Sequence, residues 1–506
     1  MRKYMRIAVG VAFAAMLFFG ATVKLETVPP VWWDEGWTLS AARTWIEKKH
    51  YGRLLAGQLA PAGLEASPFV TMSVALSFHI LGTGVVQGRL IAVAFTIATL
   101  AVLCYLVRRL YNPSIAFATV AVLLCMPAYI QLHPIYLGRQ VLGEMPALFT
   151  LIIGYSCFLA AARPRLLWLM LTIVSWAIAL TIKLQVIPFW ICSMLIPMLC
   201  SAYERKWKSM GLFGVALVGS LLGAKVVISV WQLILQDNTI TAEPITGLYY
   251  VTALVGSSKS RLSALLNILV AGIPTLVGLC YGLWSVLRRN QVCGNHTELV
   301  RFSLLILAGS WFSWYAAFSN GVTRYLFPAT FIGSIFVAVM FYELMSGCNG
   351  SFAMRQFVAV LRGCNFNKQN MGVLLVISLM VISVPRTALG LYQAYFMEAD
   401  KSVQQVARFI NTETPPGALI ETYDSELHLF LERAYHYPPD RVHVELIRRS
   451  LFNDVSINYD SLIADPDYLV IGPMSKGWRL YNPVLNAGAF QLARSFGRYE
   501  VYQRVR

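Results

Sequence analysis

Apolar runs of about 20 residues recur along this chain and restrict its fold more than any other feature. A run of that length crosses the hydrocarbon core of a bilayer as one helix, at about 1.5 Å per residue. In hydrocarbon a helix satisfies its own backbone polar groups, so many such runs predict a helical bundle. The runs are 5–24, 89–107, 114–132, 145–162, 166–182, 184–201, 210–235, 263–287, 299–318, 323–345 and 370–390. Charged residues make up only 13% of the 506, about half the share of a soluble domain. One further apolar stretch, 68–82, is short for a crossing.

Basic clusters decide what 68–82 does. If it does not cross, Arg2/Lys3/Arg6, Arg108/Arg109, Arg163/Arg165, Arg205/Lys206/Lys208, Arg288/Arg289 and Arg355/Arg362/Lys368 all face the cytoplasm, as short loops prefer. If it crosses, every cluster after the first faces outward. The stretch is therefore expected to be re-entrant or interfacial, leaving 11 spans with a cytoplasmic N-terminus. Met1 to Leu25 resembles a signal peptide, but no small-x-small cleavage site follows it, so it reads as an uncleaved first span. The outer face then receives the loop 25–88, the 132–144 turn, the 236–262 loop, Arg324 and the tail. Asn295 and Asn349 head sequons in cytoplasmic loops and are read as unglycosylated.

The net charge of +16 does not mark a nucleic-acid surface. Residues 1–390 hold 29 Lys/Arg against 11 Asp/Glu, whereas 391–506 hold 12 against 14. The basic excess thus sits at helix ends, where it reports topology and contact with anionic membrane lipids. Nine cysteines lie between Cys104 and Cys364 without CxxC spacing, which suggests neither a zinc site nor a disulfide framework. The chain divides into a membrane domain, 1–390, and a soluble outer domain, 391–506. In the latter, 418–422, 468–472, 490–494 and 499–505 read as strands, with a hairpin turn at Gly497. Helical periodicity is seen at 402–411 and 425–433.

Of the 11 acids before residue 391, eight face outside under this topology, and five of those lie in the first loop. The sharpest cluster is Trp32-Trp33-Asp34-Glu35-Gly36-Trp37. Tryptophans favour head-group depth, where a lipid-borne substrate presents its polar end. A carboxylate there suits a general base, although Asp34 or Glu35 could equally cap a helix beginning at Gly36. The second cluster runs from His133 through Arg139 to Glu144 and Pro146. Glu144 could serve a substrate, or complement a helix dipole and pair with Arg139; His133 reads as structural. The third is Thr323-Arg324-Tyr325-Leu326-Phe327-Pro328. Arg324 and Lys183 each have two readings, snorkelling to lipid head groups or binding a phosphate.

Together these residues resemble the GT-C superfamily of membrane glycosyltransferases, in the branch of protein O-mannosyltransferases and bacterial aminoarabinose transferases of lipid A. The likeness rests on Asp34-Glu35-Gly36 after the first span, Pro68-Phe69 to Gly82 with Gly88-Arg89-Leu90, Arg139 to Glu144, and Arg324-Tyr325-Leu326-Phe327-Pro328. It implies a polytopic helical fold with a small outer α/β domain. It also implies a polyprenyl-phosphate-linked sugar donor, a lipid, glycan or protein acceptor, and residence in a bacterial plasma membrane. Asp34 is then the expected general base of an inverting hexosyl or pentosyl transfer, with Glu35 orienting the acceptor or Asp34. Arg324, Arg139, Lys183 and Arg89 are candidates for stabilising the phosphate, and Tyr325 belongs to the Arg324 element. Glu144 would bind sugar hydroxyls or, with Asp34, a divalent metal; the pair Asp34-Glu35 departs from an Asp-x-Asp pattern.

A transporter or lipid flippase is the alternative. Such proteins place charges near the midplane of broken helices and often carry inverted repeats; here the acids gather at one face and no repeat is visible. The discriminating expectation is geometric: Asp34, Glu144 and Arg324 should meet at one cavity.

Overall fold

The computed structural model describes residues 17–161, 166–235, 252–289, 294–347, 368–397, 400–453 and 455–506, with Ala15 and Arg355. Among these, seven helices are long and apolar enough to cross a membrane: Val85–Leu110, Val186–Tyr203, Trp207–Leu235, Ser258–Arg288, His296–Phe318, Thr323–Leu344 and Asn370–Phe396. Shorter apolar helices are Pro68–Leu81, Pro113–Cys125, Glu144–Ala160 and Leu166–Ile182. Each expected span after the first overlaps a helix, but 114–132 stays α-helical only to Cys125. Three of those helices are shorter than the roughly 20 residues of a full crossing. Most of the run 5–24 lies outside the described residues. So do Arg2/Lys3/Arg6, Arg163/Arg165, Arg362, Asp237, Glu243 and Asn349.

Local chemistry sets several helix ends. Asn112 accepts the Ile115 N–H at 2.9 Å, with Pro113 in the first turn, and Asn295 accepts the Glu298 N–H at 3.0 Å. Both are side-chain caps that satisfy a donor left open at a helix start. One long helix widens into a π turn at Ile268–Gly272, just before Pro274, where a missing N–H interrupts the regular ladder. Aromatic packing holds the bundle: Trp176 is fully buried against Tyr155, Phe158 and Trp190, with ring centroids 5.1–5.4 Å apart.

The last long helix runs on to Phe396, past residue 390. Beyond it, strands β3 (Leu419–Thr422), β4 (Ala434–His436), β5 (Tyr468–Ile471), β6 (Phe490–Phe496) and β7 (Tyr499–Arg504) form one sheet in the order β4-β3-β5-β7-β6. β3 runs parallel to both its neighbours, and β7 runs antiparallel to β5 and β6. The β6–β7 hairpin turns through Gly497 at φ +55°. The helix at Ser402–Glu413 follows its sequence pattern, but 425–433 does not. That segment is a 3-10 turn at Ser425–Leu427 followed by irregular chain. Arg43 donates to the Leu429 and Leu431 carbonyls at 2.9 and 3.1 Å, contacts that helical bonding would compete for. The helix lies instead at Asp440–Phe452, after Pro438-Pro439.

The loop 25–88 and this domain are built together. The hairpin of β1 (Arg53–Leu55) and β2 (Gln58–Ala60) lies beside β4, where the Ala56 N–H donates to the Tyr435 carbonyl at 2.7 Å. Trp33 and Trp37, 3% and 2% exposed, belong to the hydrophobic core of the sheet domain. This corrects the reading of the tryptophan cluster as a set of head-group anchors. Only Trp32 stays exposed, at 44%.

Candidate active site

The helix carrying the acidic pair is Trp33–Lys48, three residues earlier in its start than the sequence suggested. Asp34 and Glu35 therefore both lie in its first turn. Successive helical residues point about 100° apart, and the two carboxylates face different surroundings.

Asp34 lines a cavity of about 1830 Å³. The first loop, the adjoining ends of the bundle helices and the C-terminal domain wall this cavity, and Lys183, Arg324 and Tyr325 share its lining with Asp34. Arg324 Nη2 lies 2.5 Å from Asp34 Oδ2, and its Nε lies 3.2 Å from Glu144 Oε1. Lys183 Nζ donates to the same Glu144 oxygen. The Tyr325 ring stands 5.7 Å from both cationic groups. Four charges thus alternate along one line: Asp34, Arg324, Glu144, Lys183. Glu144 is buried at the start of its helix and holds both cations from behind, whereas Asp34 keeps a third of its side chain exposed. Asp34, Glu144 and Arg324 are brought together, but only Asp34 and Arg324 line the cavity, with Glu144 buried behind them.

Glu35 does not share this site. It is fully buried, and Arg89 grips it in bidentate fashion at 2.8 and 2.7 Å. The Val141 and Trp32 N–H groups complete its bonding at 3.1 and 3.2 Å. Arg89 spends its remaining donors on the Leu25 and Pro29 carbonyls. The pair fastens the start of the first loop to the Val85–Leu110 helix and to the 138–141 turn. A catalytic Glu35 and a substrate-binding Arg89 are therefore replaced by a structural ion pair. Arg139 is displaced in the same sense. It does not pair with Glu144; it is buried, donates to the Val23 carbonyl, and lies 5.0 Å from the Tyr395 ring. His133 is buried and bonded to the Leu124 carbonyl at 3.1 Å, a structural role.

The acids do not fit a divalent ion. Arg324 stands between Asp34 and Glu144, and Lys183 caps Glu144. Among the described residues no third His, Cys, Asp or Glu joins them. Hard cations take six or more oxygens, and here both carboxylates are already neutralised.

The C-terminal domain adds residues that no local pattern announced. Glu426, Asp440, His443, Trp478, Arg498 and Tyr499 all line the cavity. Ser425 Oγ donates to the Trp33 carbonyl at 2.5 Å, and Trp33 Nε1 donates to the Tyr423 carbonyl at 2.8 Å. His443 stacks on the Trp33 ring at 4.6 Å. Arg53 and Asp440 form a bidentate pair, 2.8 and 3.0 Å, across the same boundary. Only the turn signal Pro438-Pro439 ahead of Asp440 could have pointed to one of these positions.

A family model described as dolichyl-phosphate-mannose-protein mannosyltransferase matches residues 65–231. That segment includes Glu144 and Lys183 and leaves out Asp34 and Arg324. The structure resembles ArnT from Cupriavidus metallidurans solved with bound undecaprenyl phosphate, with a TM-score of 0.64 at 15% identity over 98% of each chain. The same protein in its apo state gives 0.64 at 15% identity, over 100% of this chain and 99% of that one. The Archaeoglobus fulgidus oligosaccharyltransferase, solved with zinc and sulfate, gives 0.51 at 11% identity, over 96% of this chain and 73% of that one. No curated protein sequence matches significantly. The fold is the one seen in ArnT.

Proposed function

We propose, on the premise of this fold, that the protein transfers a sugar from a polyprenyl-phosphate carrier to an acceptor hydroxyl at the outer face of the membrane, with inversion. The observation that carries the reading is the Asp34–Arg324–Glu144–Lys183 line at the wall of a cavity shared by the bundle and the C-terminal domain. A carboxylate open to the cavity and two cations held beside it are what a displacement at a phosphate-linked anomeric carbon requires. The basic clusters support a cytoplasmic N-terminus, with residues 1–390 as the membrane domain and 391–506 outside, and the motif resemblance supports a bacterial plasma membrane.

The donor phosphate binds Arg324 and Lys183, competing with Asp34 for the guanidinium. Asp34 is thereby released to take the acceptor's proton. The acceptor oxygen forms its bond to the anomeric carbon as the bond to the phosphate oxygen breaks. The electron pair goes to the phosphate, where Arg324 and Lys183 meet the added charge. Base help of this kind contributes about 10²–10⁴ in rate, and a well-placed charge partner on the leaving group about 10²–10³. Asp34 returns its proton to water through the cavity, and Glu144 keeps both cations in position throughout.

The test is a transfer assay with the purified chain in lipid nanodiscs, offering several synthetic polyprenyl-phosphate sugars and a panel of hydroxyl acceptors. Sugar should leave the carrier and appear on an acceptor. An intact carrier in every case, with carrier movement across sealed vesicles, would replace this reading with the transporter.

A further inference from the structure

We infer that the acceptor is a neutral saccharide, bound on the C-terminal-domain side of the cavity, and that Glu426 is a residue that determines this specificity. The inference rests on the glycosyltransferase reading above and adds the acceptor class to it.

Glu426 sits on the Ser425–Leu427 turn and lines the cavity. Its Oε1 accepts from Tyr499 Oη at 2.7 Å, while its Oε2 is buried and has no hydrogen-bond partner among the described residues. A buried polar atom left unpaired is costly, and a cavity wall is where a ligand supplies the partner. Burial and the neighbouring Asp424 raise the carboxyl to about 8. At neutral pH the group therefore keeps its proton and can both donate and accept. A sugar hydroxyl has the same dual character; a phosphate does not.

The cations on this side are already committed. Arg53 is taken by Asp440 in both arms, and Arg498 Nε lies 2.6 Å from Asp400. Burial lowers the pKa of His443, whose Nδ1 pairs with Tyr423 Oη at 2.5 Å. Among the described residues, a phosphorylated acceptor would have to compete with Asp440 and Asp400 for these cations. Half-buried Trp478 offers an apolar ring of the kind that covers the C–H face of a sugar. An extended peptide that binds by strand addition would need a free strand edge. The lining residues of this domain come instead from helices and loops, apart from Tyr499, whose strand β7 is enclosed between β5 and β6. The position also suits the chemistry: a Cβ on Gly36 would stand 2.5 Å from the Glu426 nitrogen, so Glu426 abuts the helical turn that carries Asp34.

The experiment uses the full chain in nanodiscs with two readouts. Binding of cellohexaose, chitohexaose and mannohexaose is followed by tryptophan fluorescence, beside a phosphorylated hexasaccharide and a serine/threonine peptide. Transfer is measured with separate KM values for donor and acceptor. At least one neutral hexasaccharide should bind and accept sugar, in preference to the phosphorylated and peptide probes. Glu426→Ala should raise the acceptor KM about tenfold, the worth of one lost hydrogen bond, and leave the donor KM unchanged. Glu426→Gln, which both donates and accepts, should restore most of the affinity. If Glu426→Ala fails to fold, Trp478→Ala should weaken the same saccharide without moving the donor KM. Preference for the phosphorylated or peptide probe, or an unchanged acceptor KM in these variants, overturns the inference. Saccharide binding without any transfer supports this subsite and removes the enzyme reading instead.

Discussion

Arg324 Nη2 lies 2.5 Å from Asp34 Oδ2, so the candidate base and the candidate phosphate ligand neutralise one another. Asp34 Oδ2 stays occupied until something takes its partner. In the proposed reaction the donor phosphate is that competitor, so proton removal would depend on the presence of the donor.

Asp34→Asn removes the proton acceptor and keeps the shape. Transfer should fall by about 10²–10⁴, the usual worth of a general base. Thermal stability should stay close to wild type, because Asp34 is partly exposed, and donor binding should hold or tighten, because the carboxylate no longer competes for Arg324. Turnover at the wild-type rate would remove Asp34 from the mechanism.

Arg324→Lys keeps one charge and loses the fork that spans Asp34 and Glu144. An ammonium cannot serve two carboxylates and a phosphate in that geometry. The donor KM should rise and the transfer rate drop by about 10²–10³. An effect confined to the acceptor KM would mean that Arg324 faces the other substrate.

Glu35 and Arg89 should behave differently from Asp34 in spite of the sequence neighbourhood. Glu35→Gln or Arg89→Met leaves one buried group without its counter-charge, at a cost of about 3–5 kcal/mol. Replacing both by apolar residues should cost less than either single change. Denaturant or thermal unfolding of the three variants checks this. A stable but inactive Glu35→Gln would return Glu35 to the catalytic machinery.

Gly36→Ala probes the seam between the loop and the tail. A Cβ at this position would fall 2.3 Å from the Ser425 carbonyl oxygen, which is backbone and cannot swing away. The C-terminal domain must then shift off the helix that bears Asp34. Acceptor use should decline while donor binding persists, measured as separate KM values. Full activity in Gly36→Ala would show that the close approach is dispensable.

The stability of the protein should decline as pH rises through the range that Glu426 controls. Its carboxyl is raised from an ordinary value near 4.5 to about 8 by burial and by Asp424, partly offset by Tyr499 and Arg498. Between these two values the folded chain binds more protons than the unfolded one, so stability falls with pH. Glu426→Gln should flatten part of that slope between pH 5 and 8.5. Glu421 and Asp424 are raised as well and keep the remainder. Identical slopes for the two proteins would mean that Glu426 does not titrate in this window.

The bundle was legible because membrane spans announce themselves by length, and because basic clusters agree on one side. The same charge bias put Asp34, Glu144 and Arg324 on one face before any geometry was known. Other features were hidden for physical reasons. Asp34 and Glu35 are adjacent, and only the true start of their helix at Trp33 tells which faces the cavity. Arg89, Arg139, Lys183 and Arg324 look alike as cations near helix ends. Which of them finds a buried carboxylate depends on packing between distant segments. At 425–433 the periodicity pointed to a helix, but tertiary bonds with the Arg43 and Asn411 side chains claim that backbone. Long-range pairing of this kind leaves no local trace.

Trp33 and Trp37 lie in the core of a domain whose remaining core residues come from beyond residue 400. In chain order, the two tryptophans emerge near the beginning of synthesis and their partners near the end. The turn that carries Asp34 is therefore the last part of the molecule to be finished, however early its residues are made. A chain ending at Phe396 should insert its helices yet leave Trp33 open to protease and to aqueous quenchers. Shut-off before completion is thus built into the order of assembly: an unfinished chain holds every charge of the Asp34–Lys183 line but lacks the wall that sets it in place.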